Sequence, residues 1–403
     1  MRRALVPLAA GAGALVAVAV AVAATRTAEA TTGSPIVPAD GWTWPYRLAV
    51  ALALLLYVAG VVALRRRRAP LAAVAVLACA IQLAPLAAPL LLSKDAYIYW
   101  AYGRIAAVHG ENPYTTPPEA TRGDPAAELV AQDWIGTTAP YGPLWVLASE
   151  GTARAASDDP DGAMSLFKLL AAAGALALTA GAALASRRPA FAAAFVGWNP
   201  LIALHHAGGA HNDAWMMAFV VAGIALAVRG RAQLGGAAWA AGLAVKWFPI
   251  VLLPLELVGS RRGARPFGVL GFLAGGAALA VVATVRFGVD WPRALVPIGN
   301  QAQRWNSLSL VHHLTQLGIP GRPATAALAL LFALAYLWLL REAWRGRVRL
   351  ALASGLFALS LAWLAPWYAT WAIALAAVEE DRAARWLALG LTVYFVRDVA
   401  VWS

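Results

Sequence analysis

The sequence is poor in cysteine, in charge and in acids. Its single cysteine, Cys79, sits inside an apolar run, which excludes a disulfide framework and a cysteine-based metal site. Only 13% of the 403 residues are charged, against 61% hydrophobic, so the chain is not an ordinary soluble globule. The apolar–polar alternation of an outer-membrane barrel is absent. No internal repeat or low-complexity tail is present, and no Gly-x-Ser-x-Gly elbow for a serine hydrolase. Twenty acids against 32 Lys and Arg leave a net charge of +12. In a chain this apolar, Arg clusters are read as topology marks rather than as a nucleic-acid surface.

What the chain does have is apolar runs approaching 20 residues, the length that crosses about 30 Å of hydrocarbon. Backbone groups in lipid must be satisfied internally, so these runs are expected to be helices of an all-α polytopic membrane protein. The first, Leu5 to Ala24, is read as an uncleaved helix despite the small-residue stretch Thr27-Ala28-Glu29-Ala30, and it leaves residues 31–44 outside. Tyr46 to Leu64 ends in Arg65-Arg66-Arg67-Arg68, a strong positive-inside mark, so Pro70 to Leu92 travels outward. Met164–Ser186, Ala190–His205 and Asp213–Val228 alternate in direction. Gly235–Val258 reads as two short helices turning at Lys246-Trp247-Phe248-Pro249. Phe267–Arg286, Ala324–Leu340, Leu350–Ala365, Trp367–Val378 and Trp386–Val401 follow, for about eleven or twelve crossings in a single domain over 1–403. On this path residues 93–163, the turn at His205–Asp213, residues 287–322 and Pro366-Trp367-Tyr368 share the external side.

The external stretch Ser93 to Trp145 mixes Tyr and Trp with scarce acids. Asp95 follows the third run directly. An interfacial Asp that only flanks a helix is one reading; a catalytic base is the other, because sugar rings stack on aromatic faces while a carboxylate takes a proton. Asp124 and Asp133 are the other acids in the loop core. Glu111, Glu119 and Glu128 read as solvated charges, and Asp158, Asp159 and Asp161 as a turn. Asp95–Ala107 is expected as an interfacial helix, and Gly142–Ala156 as a second one or a short crossing. His205, His206, His211 and Asp213 match no structural zinc spacing, and hydrogen bonds to a substrate or lipid phosphate are the preferred reading over a metal. Lys246 interrupts an apolar run, either snorkelling or meeting an anion. Arg304-Trp305-Asn306-Ser307 and His312-His313 stand where they would face a phosphate or sugar.

These residues resemble the C-type (GT-C) integral-membrane glycosyltransferases, and among them the actinobacterial polyprenyl-phosphomannose-dependent α-mannosyltransferases. The resemblance rests on Asp95 with Tyr99 and Tyr102-Gly103, Gly110-x-Asn112-Pro113-Tyr114, Asp124-Pro125, Trp134 and Ala139-Pro140-Tyr141-Gly142-Pro143-Leu144. It continues through Asn199-Pro200-Leu201, Gly208-Gly209-Ala210-His211-Asn212-Asp213, Lys246, Asn306-Ser307-Leu308 and Pro366-Trp367-Tyr368. It implies a GT-C-like helix bundle in the bacterial plasma membrane with an extracytoplasmic active site that builds cell-envelope glycan. The implied reaction is inverting transfer of mannose from polyprenyl-phosphate-mannose to a glycan or glycolipid, with Asp95 as base. Tyr99, Tyr102, Asn112, Tyr114, Trp134, Tyr141, His211, Asn212, Asp213, Asn306, Trp367 and Tyr368 would bind substrate. Lys246, Arg304 and His312 would face the donor phosphate. No cofactor is implied; Mg or Mn dependence varies among C-type enzymes and none is assumed. Membrane lipids are the remaining partner, and nucleic acid is not one. An arabinosyl- or glucosyltransferase shares every feature named. A lipid-linked saccharide flippase would need repeated halves and a polar path across the bilayer, and in a scaffold Asp95 would be dispensable.

Overall fold

The structure, a computed structural model, describes residues 2–32, 43–301 and 304–401, with side chains over 4–27, 44–301 and 304–396. The expected external segment 31–44 falls largely outside the described residues, as do the side chains of Ala28, Glu29 and Ala30. Among the described residues every regular element is helical. In chain order these are α1 (Arg2–Thr32), α2 (Thr43–Arg66), α3 (Leu71–Leu83), α4 (Asp95–Ala107), α5 (Pro143–Ala156), α6 (Pro160–Ala185), α7 (Pro189–Gly197), α8 (Pro200–Ala203) and α9 (Asp213–Ala227). Then come α10 (Ala232–Val245), α11 (Pro249–Arg261), α12 (Val269–Phe287), α13 (Leu295–Gln301), α14 (Leu310–Gln316), α15 (Gly321–Trp344), α16 (Leu350–Ser360), α17 (Ala369–Val378) and α18 (Arg382–Val401). Five of the helices, α5 to α8 and α11, open on a proline, whose fixed φ suits a first turn and whose missing N–H costs nothing there.

Most of the crossings expected from the sequence fall into three kinds; Ala190–His205 is instead divided between α7 and the bend after it, and Trp386–Val401 lies within α18. Five helices are long and apolar enough to span alone: α1, α2, α6, α12 and α15. One broken span pairs Pro200–Gly208 with α9 at a bend of 119°. Shorter apolar helices are Leu71–Ala87, α10, α16 and Pro366–Val378. The hairpin expected over Gly235–Val258 is α10 and α11, and it turns at Lys246-Trp247-Phe248 as the interrupted run requires. Gly142–Ala156 is realised as α5, packed along α4. Gly103 makes that contact possible, since a Cβ there would strike the Ser149 backbone.

Helix α17 is the centre of the bundle. Its residues Thr370 to Ala377 are buried, and it packs on α6, α7, α9, α16 and α18. By contrast the spanning windows of α12 and α15 are only 6% and 11% buried. Each packs on neighbours along one side, α12 on α10 and α15 on α11 and α16, and leaves an apolar outer surface suited to lipid. Several of the basic residues share one end: Arg188 donates to the Arg65 carbonyl, both lie near Arg385, and Arg385 lies near Asp381, which pairs with Arg349.

Candidate active site

The segment before Asp95 is irregular and firmly held. Helix α3 gives way at Pro85 to a 3-10 turn, after which the chain is extended. The freed carbonyls of Leu86, Ala88 and Pro89 all accept from the Lys168 ammonium of α6, a side chain that is almost wholly buried. Carbonyl dipoles converging on an ammonium make a buried lysine tolerable. Leu91 N–H then bonds the Gly208 carbonyl at 3.0 Å, Leu92 takes a left-handed φ of 63°, and the Ser93 hydroxyl accepts from Asp95 N–H at 3.0 Å. Asp95 is thereby set at the first turn of α4, where the helix dipole favours a carboxylate.

The opposing wall is the bend between α8 and α9. Residues Leu204–Gly208 form a π-turn, an arrangement frequent at functional sites. Ala210 follows at φ 61° and reverses the chain. Gly209 has no room for a side chain, because a Cβ would meet the carbonyls of His205 and Leu91. His206 is fully committed, bonding the His211 carbonyl at 2.9 Å and the Thr370 hydroxyl at 3.0 Å. Asp213, with no exposed surface, accepts from Lys246 Nζ at 3.0 and 2.9 Å and from the Trp371 indole at 2.7 Å. Lys246 lies 5.1 Å over the Tyr368 ring and 6.0 Å from that of Tyr141.

Between these walls His211 Nδ1 stands 3.6 Å from an Asp95 oxygen, beyond hydrogen-bond length. The His211 ring stacks on Trp367, with centroids 3.6 Å apart and planes within 19°. Both ring nitrogens of His205 and of His211, and both amide atoms of Asn212, are buried without a hydrogen bond inside the protein. Such groups are costly unless something polar meets them. Asp95 and His205 border a cavity of about 370 Å³ that Trp134, Trp363 and Trp367 also line. Burial raises the Asp95 carboxyl above the ordinary carboxylate value; the Ser93 hydroxyl and Lys246 oppose the rise and Asp213 adds to it. A carboxyl shifted that way is the better proton acceptor.

The other residues named from the sequence divide between the cavity and its frame. Asn306 borders the cavity, but its side chain brackets the backbone of Leu364 at 2.7 and 3.1 Å. Tyr99 is packed edge-on to Tyr141, Trp145 and Phe167, and Tyr102 donates to the Thr137 carbonyl at 2.8 Å. Asn112 donates to the Phe287 carbonyl at 2.7 Å, and Tyr114 to that of Tyr141 at 3.1 Å. Arg304 is exposed and His312 half-buried on α14, and neither lines the cavity. Asp133 is exposed. Asp124 is held by Arg104 and His109 at 2.8 Å each, and Arg104 also takes Asp158 at 2.7 Å. Asp159 caps α6. Among the described residues no group of three or more His, Cys, Asp and Glu is gathered as a metal-ligand set. Sequence reading passed over Lys168, Trp363, Thr370 and Trp371. Lys168 alone carried a signal, as a charge inside the apolar run Met164–Ser186.

Comparison with known proteins covers the part of the chain that holds Asp95. The family described as alpha-(1->6)-mannopyranosyltransferase, N-terminal domain, matches residues 9–260. Alpha-(1->6)-mannopyranosyltransferase A of Mycobacterium tuberculosis is 33% identical over 246 residues, 57% of this chain and 46% of that protein. Alpha-(1->6)-mannopyranosyltransferase A of Corynebacterium glutamicum is 31% identical over 173 residues, 42% of this chain and 34% of that protein. The matched part thus spans less than half of either relative. No solved structure matches the chain.

Proposed function

Since the chain belongs to the family of alpha-(1->6)-mannopyranosyltransferases, we propose that it transfers mannose from a polyprenyl-phosphate donor to an external glycan or glycolipid, with inversion. The observation that carries this reading is the place of Asp95. Its carboxylate ends an irregular, anchored segment, borders a cavity lined by indoles, and faces a buried imidazole without partners.

The acceptor hydroxyl oxygen attacks the anomeric carbon as its proton passes to the Asp95 carboxylate. The bond from that carbon to the phosphate oxygen breaks, and polyprenyl phosphate leaves with the electron pair. Lys246, already balanced by Asp213, has a third N–H with which to meet the growing negative charge. Neutral His211, stacked on Trp367, supplies a donor to the sugar or phosphate without adding charge beside the base. The lipid-linked donor reaches the site from the bilayer and the glycan from water, so the reaction belongs at the headgroup level of the outer face.

Membranes carrying wild type or Asp95→Asn, given radiolabelled polyprenyl-phosphomannose and a short manno-oligosaccharide, test the reading. Wild type yields labelled product, and Asp95→Asn at equal abundance loses about 10²–10⁴-fold, the usual worth of a positioned base. Full activity in Asp95→Asn removes the base assignment, and product only from polyprenyl-phosphoarabinose or -glucose replaces mannose as the sugar.

A further inference from the structure

The cavity beside Asp95 has one aromatic wall residue, Trp363, that lies outside the family match and outside the sequence motifs. Trp363, on the loop between α16 and α17, borders it together with Trp134 and Trp367. Trp134 and Trp363 meet edge to face, with centroids 5.5 Å apart and planes at 84°, so they form a corner rather than a closed stack. Asn306 clamps the loop on either side of Trp363. Its N–H bonds the Ala362 carbonyl at 3.3 Å, and its side chain holds both polar atoms of the Leu364 backbone. The indole is therefore preorganised, which spares an incoming ligand the ordering cost. At the back stands His205, 1% exposed, with both ring nitrogens unpartnered inside the protein. The charged side chains bordering this space are Asp95 and Lys94. Lys246 is outside the lining, close enough to act on the charge of Asp95.

We propose that this corner is the acceptor subsite: Trp134 and Trp363 hold the terminal pyranose of a neutral glycan, and His205 hydrogen-bonds one of its hydroxyls. The proposal rests on the mannosyl-transfer reading above. Aromatic faces take the apolar faces of a sugar ring, and an unpartnered imidazole takes a hydroxyl as either donor or acceptor. A volume of about 370 Å³ falls within the range of small-ligand pockets. An anionic phosphodiester with a prenyl chain is the poorer fit, because three indoles line the space and its one cation, Lys94, is exposed at the edge.

The test uses the full chain in detergent without donor, with α-1,6-mannobiose as the probe in titration calorimetry. Wild type binds it, Trp363→Ala weakens binding about tenfold, and Trp363→Phe stays within about threefold. In turnover assays on the same preparations, Trp363→Ala raises the acceptor KM by about the same factor and leaves the donor KM and kcat within about twofold. The phenylalanine variant separates a lost ring from a misfolded loop. Three results overturn the subsite: no binding by wild type, equal affinity in Trp363→Ala, or a rise in donor KM instead of acceptor KM. The two readings fail separately. Trp363-dependent binding without wild-type turnover keeps the subsite and removes mannosyl transfer; turnover indifferent to Trp363 does the reverse.

Discussion

At the scale of single residues the site depends on which charges are already spent. Asp213 has no exposed surface and three hydrogen bonds to its carboxylate, two from Lys246 and one from Trp371. Removing one member of such a buried pair strands the other, at about 3–5 kcal/mol, whereas replacing both with apolar groups is often close to neutral. Lys246→Met therefore lowers thermal stability in detergent sharply, and Lys246→Met with Asp213→Leu recovers most of the loss. A double-mutant cycle on Tm reads the coupling. Both proteins remain inactive under the proposed mechanism, since each lacks the cation facing the leaving phosphate. A neutral Lys246→Met variant would show that the pair does not hold the start of α9 to the α10–α11 turn. An active double variant would show that Lys246 takes no part in the chemistry.

Elements explain why some of the site was legible beforehand and some was not. The α10–α11 turn could be read because Lys246 and Pro249 break an otherwise apolar run. The partner of Lys246 could not, since Asp213 lies 33 residues away and no local pattern joins them. Asn112 and Tyr114 stood out as a motif, yet the Asn112 amide crosses 175 residues to the Phe287 carbonyl, so it ties the loop to α12. Trp363 is one of 18 tryptophans, and only the fold distinguishes the one that corners the cavity. Lys168 fixes the carbonyls of Leu86, Ala88 and Pro89, a few residues before Asp95. Lys168→Met should lower kcat about tenfold or more while leaving donor KM nearly unchanged, because the base moves and the donor contacts do not. Unaltered kcat in that variant would leave Lys168 with packing alone. The loop also carries a pH signature. Burial opposes ionisation of Asp124, but hydrogen bonds from His109, Arg104 and the Ala126 backbone outweigh it and hold the carboxyl below its ordinary value of 3.8. A depressed value stabilises the fold above the ordinary carboxylate range, and that contribution disappears as pH falls through the folded value. Asp124→Asn therefore melts several degrees lower than wild type from pH 8 to 5, and the gap closes below about pH 4. A gap independent of pH would assign the loss to packing.

For the whole molecule the decisive question is which end meets water outside the cell. Arg65, Arg188, Arg265 and Arg349 lie at one end, where Arg188 reaches the Arg65 backbone and Arg349 reaches Asp381. Short loops rich in Lys and Arg stay on the cytoplasmic side. In the proposed orientation the chain travels outward from the Arg65–Arg68 cluster to the loop that bears Asp95 and Trp134, which would open the cavity to the outside. Single cysteines in a Cys79→Ser background test this directly. Glu111→Cys and Thr115→Cys occupy exposed positions in the loop after α4, and Arg187→Cys and Arg231→Cys occupy exposed positions in the basic turns. A membrane-impermeant maleimide labels the first pair on intact cells and the second pair only after permeabilisation. The reverse pattern would turn the cavity toward the cytoplasm, where nucleotide sugars rather than polyprenyl-phosphate sugars are the ready donors. The proposed donor would then fall with the orientation, even if Asp95 remained the base.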